Sequence, residues 1–179
     1  MPARTLSIAV LLVLAFFGCT PSERSSSASL ESRQIVFVPA VEDPFYRAIG
    51  AGARSASETA GVQYAEAEYP EVWSVDAQRA VLQEFDFDTV DVLLIGPVST
   101  AALNEDLQQI HRRGVAVITV DTYVGDGDYT EGNDSYALSF VGTDNWIGGK
   151  EVAERLAELV GKEGAVYVNT THSDVSSVR

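Results

Sequence analysis

The sequence predicts an α/β fold, a parallel sheet with helices on both of its faces. Three observations carry that expectation. Apolar runs of strand length, rich in β-branched residues, alternate with stretches of helical periodicity. The connections between them are short, which is the pattern of strand–helix–strand units rather than of hairpins. The hydrophobic share of the 179 residues is 46%, ample for a packed core and an argument against global disorder.

Met1 to Cys19 reads as a targeting segment. Arg4 supplies a positive start, and Leu6 to Phe17 is an apolar run too short to span a bilayer comfortably. It ends in Phe17-Gly18-Cys19, with the only cysteine of the chain. A small residue directly before a lone Cys at the end of such a run resembles a bacterial lipoprotein processing site. The usual Leu three places before the Cys is Phe16 here. The resemblance implies lipidation at Cys19, which leaves no cysteine for a disulfide. Residues 20–33 are serine-rich without apolar periodicity and read as a flexible tether.

Gln34 to Pro39 is the first buried strand. Asp43 is placed to cap the helix that follows, with Pro44 in its first turn and Gly61 as its stop. Val62 to Ala67 is the second strand. Ser74 to Phe85 is amphipathic, with Val75, Ala77, Val81 and Leu82 as its stripe. Val90 to Ile95 is the third strand, closed by Gly96-Pro97. Ser99 is expected to cap a helix from Thr100 to Arg113, stopped by Gly114. Val115 to Val120 is the fourth strand, ending at Asp121-Thr122-Tyr123.

Val124 to Tyr136 is a glycine- and aspartate-rich stretch. Asp126, Asp128 and Asp134 invite a calcium reading, but the EF-hand register puts Glu131 at its glycine position and Ala137 at its closing acid. A solvated loop is expected. Ala137 to Val141 is a fifth short strand, and Asp144 or Asn145 caps a helix that Gly161 ends. Ala165 to Asn169 is read as a further strand.

The run Thr143-Asp144-Asn145, two residues, then Gly148-Gly149-Lys150 resembles the hinge segment of periplasmic sugar-binding proteins of the ribose and galactose type. The lac-repressor-like ligand cores are related to them. The other motifs match in the same order, from Gln34 to Arg179. The resemblance implies two lobes, with this segment leaving the N-terminal one and opening the first helix of the other. On that reading residues 34–142 are a complete first lobe, and 143–179 are the hinge and the beginning of a truncated second lobe. A phosphate-loop reading of the same glycines fails, because it needs Gly at Asp144 and Ser or Thr at Glu151.

In open parallel sheets ligands sit beyond the carboxyl ends of the strands. The candidates are therefore Asp43 to Tyr46, Gly96 to Ser99, Asp121 to Tyr123 and Thr143 to Asn145. The resemblance implies that Phe45 and Tyr46 stack on the faces of a sugar ring, whose C–H surface suits aromatic carbon. It implies that Asp121 accepts sugar hydroxyls and that Thr143 is a hydroxyl-bearing pocket position. Asp43 stands where the family often has Asn. Arg179 falls at or near the arginine with which the second lobe clamps its ligand. Two departures put ribose itself in doubt and leave a polyol or another sugar open. Thr122 replaces an Arg often found directly after the Asp, and Gly96 replaces an Asn at the end of the third strand.

Several function classes are disfavoured. The formal charge of −14 argues against nucleic acid and anionic membrane surfaces as partners. Two histidines and one cysteine make a zinc site improbable, and no G-x-S-x-G elbow is present. His172 and Ser173 are merely adjacent, and His111 sits among arginines on a predicted helix face. No enzymatic activity and no cofactor are expected. The family resemblance implies the substrate-binding lipoprotein of an ABC-type sugar importer, anchored at the periplasm or cell envelope through Cys19. Its partners are a monosaccharide or polyol and a membrane permease. The alternative is an extracytoplasmic sensor that reports a sugar or autoinducer to a kinase or chemoreceptor. A cytoplasmic transcription regulator is disfavoured by a secretion signal where a helix-turn-helix belongs.

Overall fold

Strands buried on both faces read as continuous apolar runs, and that is how the chain builds its sheet. The structure is a computed structural model that describes residues 30–132 and 134–169. Its strands are β1 (Gln34–Val38), β2 (Gln63–Glu66), β3 (Val92–Ile95), β4 (Ala116–Val120) and β5 (Ala137–Val141). All pair in parallel, in the order β2-β1-β3-β4-β5. Val36 of β1 lies between Ala65 of β2 and Leu93 of β3, which makes β1 an interior strand beside the central β3. Val36, Phe37, Val38, Leu93, Ile95 and Val117 have no exposed surface at all.

The helices are α1 (Pro44–Ala60), α2 (Val75–Glu84), α3 (Asn104–Arg112) and α4 (Asn145–Leu159). Right-handed crossovers in this strand order put α1 on one face and α2 and α3 on the other. The Arg79–Asp106 ion pair between α2 and α3, at 3.0 Å, fits that placement. The predicted ends of α1 are where the sequence puts them. Asp43 accepts the Tyr46 N–H at 2.8 Å, and Gly61 closes the helix at φ 69°, a conformation that costs glycine nothing.

Three expectations need correction. The helix expected from Thr100 begins only at Asn104. Ser99 does cap, but its hydroxyl accepts from Ala101 and Ala102 within a separate turn, and Leu103 is sunk into the core before the helix starts. Ala165 to Asn169 forms no strand. A strand needs a neighbour to pair its backbone, and among the described residues none lies beside it. The segment 124–136 is more than a solvated loop. Tyr129 turns inward, its hydroxyl 2.8 Å from Thr119 Oγ1 and accepting the Val124 N–H at 3.0 Å. Tyr136 donates to Asn104 Oδ1 of α3, whose amide in turn donates to Asp134. These bonds tie down the crossover that two adjacent parallel strands require. No cluster of three or more metal-ligating side chains occurs among the described residues.

No residue of α4 is buried. Its apolar positions Trp146, Ile147, Val152 and Leu156 keep the helical spacing of an amphipathic stripe, but among the described residues nothing covers them.

Candidate functional site

The sheet order reverses at β1, since the chain passes from β1 outward to β2 and then returns to β3 on the other side. Ligand crevices open at such points, beyond the strand ends. Here one buried side chain sets the spacing of the two diverging loops. Gln78 of α2, fully buried, donates from Nε2 to Pro39 O at 3.0 Å and to Gly96 O at 2.7 Å. Its Oε1 accepts the Val98 N–H at 3.0 Å. Sequence reasoning passed over Gln78. The signal was there, because Gln78 falls on the apolar stripe between Val75 and Leu82, where a polar residue must find partners indoors.

From the first turn of α1, Tyr46 enters the same gap and is 1% exposed. Its ring covers Gly96 so closely that a Cβ there would sit 2.5 Å from Cε1. Phe45 meets the ring edge-on at 5.2 Å, and Trp73 lies 6.3 Å away on the other flank. The phenol then donates to Asp121 Oδ2 at 2.8 Å, across 75 positions of sequence. Asp121 ends β4 at φ 65°, the left-handed region that Asp tolerates better than most residues, with its N–H on Val141 O at 3.0 Å. Burial pushes the Asp121 carboxyl above its usual 3.8. The Tyr46 hydrogen bond opposes that shift, and the nearby negative charge of Asp43 adds to it. Burial, and then the Asp121 charge, also raise Tyr46, so its hydroxyl keeps the proton it donates.

In front of this pair lies an open cleft of about 560 Å³, within the usual range for small-molecule sites. Phe45 and Ile49 of α1 form one wall. Val120 and Asp121 form the floor, and Val141, Gly142, Thr143 and Asn145 lead from β5 into α4 opposite. Phe45, 53% exposed, offers ring carbon to the cleft. Thr143 donates to Asn145 Oδ1 at 2.7 Å, joining two polar side chains at the rim.

Of the residues singled out from the sequence, Phe45, Asp121 and Thr143 line this cleft. Tyr46, expected to stack, lies behind the cleft and meets its lining through Asp121 and Phe45, because its ring occupies the space over Gly96. Asp43 directs its carboxylate to the α1 cap. Thr122 points inward and is fully buried, its hydroxyl without a hydrogen-bond partner among the described residues. Cys19, Arg179, His172 and Ser173 lie outside the described residues. His111 faces the Val115 carbonyl at 3.2 Å, a structural contact.

Comparison with known proteins settles the family. The family model of the periplasmic binding protein domain matches residues 35–177. The chain belongs to the periplasmic binding protein domain family. Among solved structures, an ABC transporter solute-binding protein from Agrobacterium vitis, with α-D-tagatopyranose bound, is similar at 32% identity and TM-score 0.76. That match covers 81% of this chain and 49% of the other. A carbohydrate-transporter solute-binding protein from Agrobacterium radiobacter, in complex with D-arabinose, is 25% identical at TM-score 0.66, over 84% of this chain and 50% of its own. A solute-binding protein from Burkholderia graminis C4D1M, in complex with D-arabinose, shares the fold at 20% identity and TM-score 0.71, over 84% and 49%. The chain thus spans about half the length of those structures. No curated protein gives a significant match.

Proposed function

We infer that the protein is the sugar-binding component of an ABC-type importer, taking a monosaccharide or related polyol between two lobes. Residues 34–142 are the lobe that carries this cleft, and 143–179 open the second. The observation that carries the reading is the pairing of opposites across one cleft, the half-exposed ring of Phe45 against the carboxylate of Asp121 and the hydroxyl of Thr143. A sugar ring has an apolar C–H face and a hydroxyl edge, and aromatic carbon beside fixed acceptors matches both. The tagatose and arabinose bound in the Agrobacterium proteins support the choice of ligand class. Closing a second lobe over the cleft would bury the sugar and create a new surface for a permease. Asp43 contributes by fixing the first turn of α1, Tyr46 by holding Asp121, and Arg179 belongs to the second lobe's share of the site. Cys19 is the lipid attachment point that holds the protein at the cell envelope.

The test is a thermal-shift screen of the full-length chain against pentoses, hexoses and polyols. A ligand that binds only the folded state at a hundred times its Kd adds about 2.7 kcal/mol of stability, a shift well within measurement. A rise with one sugar, lost in Asp121→Ala, is the expected outcome. No rise with any sugar overturns the reading.

A further inference from the structure

We propose that Tyr46 is a positioning residue that decides how Asp121 meets its ligand, holding Oδ2 from behind the cleft and leaving Oδ1 as the oxygen offered to a ligand hydroxyl. The inference rests on the sugar-binding reading and deepens it. Three features of the structure leave this geometry little freedom. The Tyr46 ring is 1% exposed, seated against Gly96 and in contact with Phe45 and Trp73, so the phenol oxygen has little room to swing away. The Asp121 backbone lies in the left-handed region and its N–H is bound to Val141 O, which fixes the point from which the carboxylate starts. The Oη–Oδ2 distance of 2.8 Å is an ordinary O–H···O length, and a hydroxyl that donates to a carboxylate makes one of the stronger hydrogen bonds available.

The consequence concerns ligand class. A carboxylate with both oxygens free can grip a vicinal pair of hydroxyls in a two-point contact. With the phenol on Oδ2, that oxygen keeps one lone pair and less room, so Oδ1 is the freer acceptor and a two-point grip on neighbouring hydroxyls is weakened. The same ring also explains why a glycine follows β3, since any side chain at position 96 would collide with it. Tyr46 thus removes one polar group from the cleft and orients another. Besides Tyr46 of α1, Asp43 of the β1–α1 loop is the titratable group that acts on Asp121, and the other side chains lining the cleft do not titrate.

The experiment uses the full-length chain and Tyr46→Phe, which deletes one oxygen and keeps the ring over Gly96. First, the Asp121 carboxyl carbon is titrated by ¹³C NMR without ligand. Loss of the hydrogen bond to its charged form should move its midpoint to higher pH than in the wild type. Second, affinity is measured by calorimetry for the sugar with the largest thermal shift and for its deoxy analogues. Tyr46→Phe should weaken the hydroxylated sugar about three- to tenfold, with a smaller loss for the analogue lacking the hydroxyl that Asp121 reads. In an Asp121→Asn background the same substitution should change affinity by less than about twofold. An unchanged titration, or equal loss for all ligands and in both backgrounds, overturns the proposal and makes Tyr46 a packing residue only. If no sugar binds the wild type, the functional reading fails, and the titration by itself still judges whether Tyr46 controls Asp121.

Discussion

Replacing Gly96 by alanine asks whether the Tyr46 ring truly sits where a side chain belongs. The new Cβ would lie 2.5 Å from Tyr46 Cε1, 3.2 Å from Cζ and 3.3 Å from the hydroxyl oxygen. Carbon atoms in contact prefer about 3.5–4.0 Å, so the overlap approaches about 1 Å. The ring is 1% exposed and flanked by Phe45 and Trp73, so it has no open side to retreat into. Overpacking of this kind costs about 1–3 kcal/mol. If the ring moves, its bond to Asp121 breaks, and hydrogen bonds to charged groups are worth about 1.5–3 kcal/mol. Against this, alanine restricts the unfolded chain and gains about 0.4–1 kcal/mol. The net expectation is a loss of about 2–4 kcal/mol, or roughly 5–15 °C in Tm for a chain of this size. Urea unfolding of Gly96→Ala, Tyr46→Leu and the double variant measures it. With leucine at 46 the alanine should cost less than about 0.5 kcal/mol, a coupling that only direct contact produces. Equal costs in the two backgrounds, or a negligible cost in the wild type, would refute the packing argument.

The other predictions concern the polar groups around the same gap. Asp121→Asn should weaken sugar binding yet raise Tm at neutral pH, because the folded protein holds this carboxyl above its usual 3.8. The folded state then binds more protons than the unfolded one in that window, so wild-type stability falls as pH rises through it and stays lower above. Tm measured from pH 4 to 7.5 should show this fall in the wild type and less of it in the variant. Asp91 behaves in the opposite sense. The Gln34 N–H first, and then Arg33, hold its carboxyl below the usual range, so its contribution is present above that range and lost as pH falls through the lowered value. Acid unfolding of Asp91→Asn should therefore depend less steeply on pH than that of the wild type, with the Arg33 part shrinking in salt. Gln78→Leu fits the volume but strands the Val98 N–H and the carbonyls of Pro39 and Gly96. Buried groups left unpaired cost about 1–3 kcal/mol each, so a loss of about 3 kcal/mol or more is expected in urea unfolding, and one under about 1 kcal/mol would contradict it.

Much of the fold was legible because its cues are local. Asp43 and Pro44 at one end and Gly61 at the other bound α1 through local backbone chemistry, and the β-branched runs of β1, β3 and β4 carry their own burial pattern. The late start of α3 was not legible. Ser99 offers the same hydroxyl to a turn as to a helix, and the burial of Leu103 decides between them. The stretch at 165–169 has strand composition without a strand, because pairing is a property of neighbours and composition cannot supply one.

Within the candidate site the division is similar. A parallel sheet places its strand-end loops along one edge, and that rule drew attention to Phe45, Asp121 and Thr143, which line the cleft, together with Asp43 and Tyr46, which do not. Long-range packing set the rest: Tyr46 turns onto Gly96, its phenol reaches Asp121, and Gln78 bonds to both loops. The physical reason is range. Caps, turns and periodicity act over a few residues, whereas a ring filling the gap left by a missing side chain depends on two strand ends meeting in space.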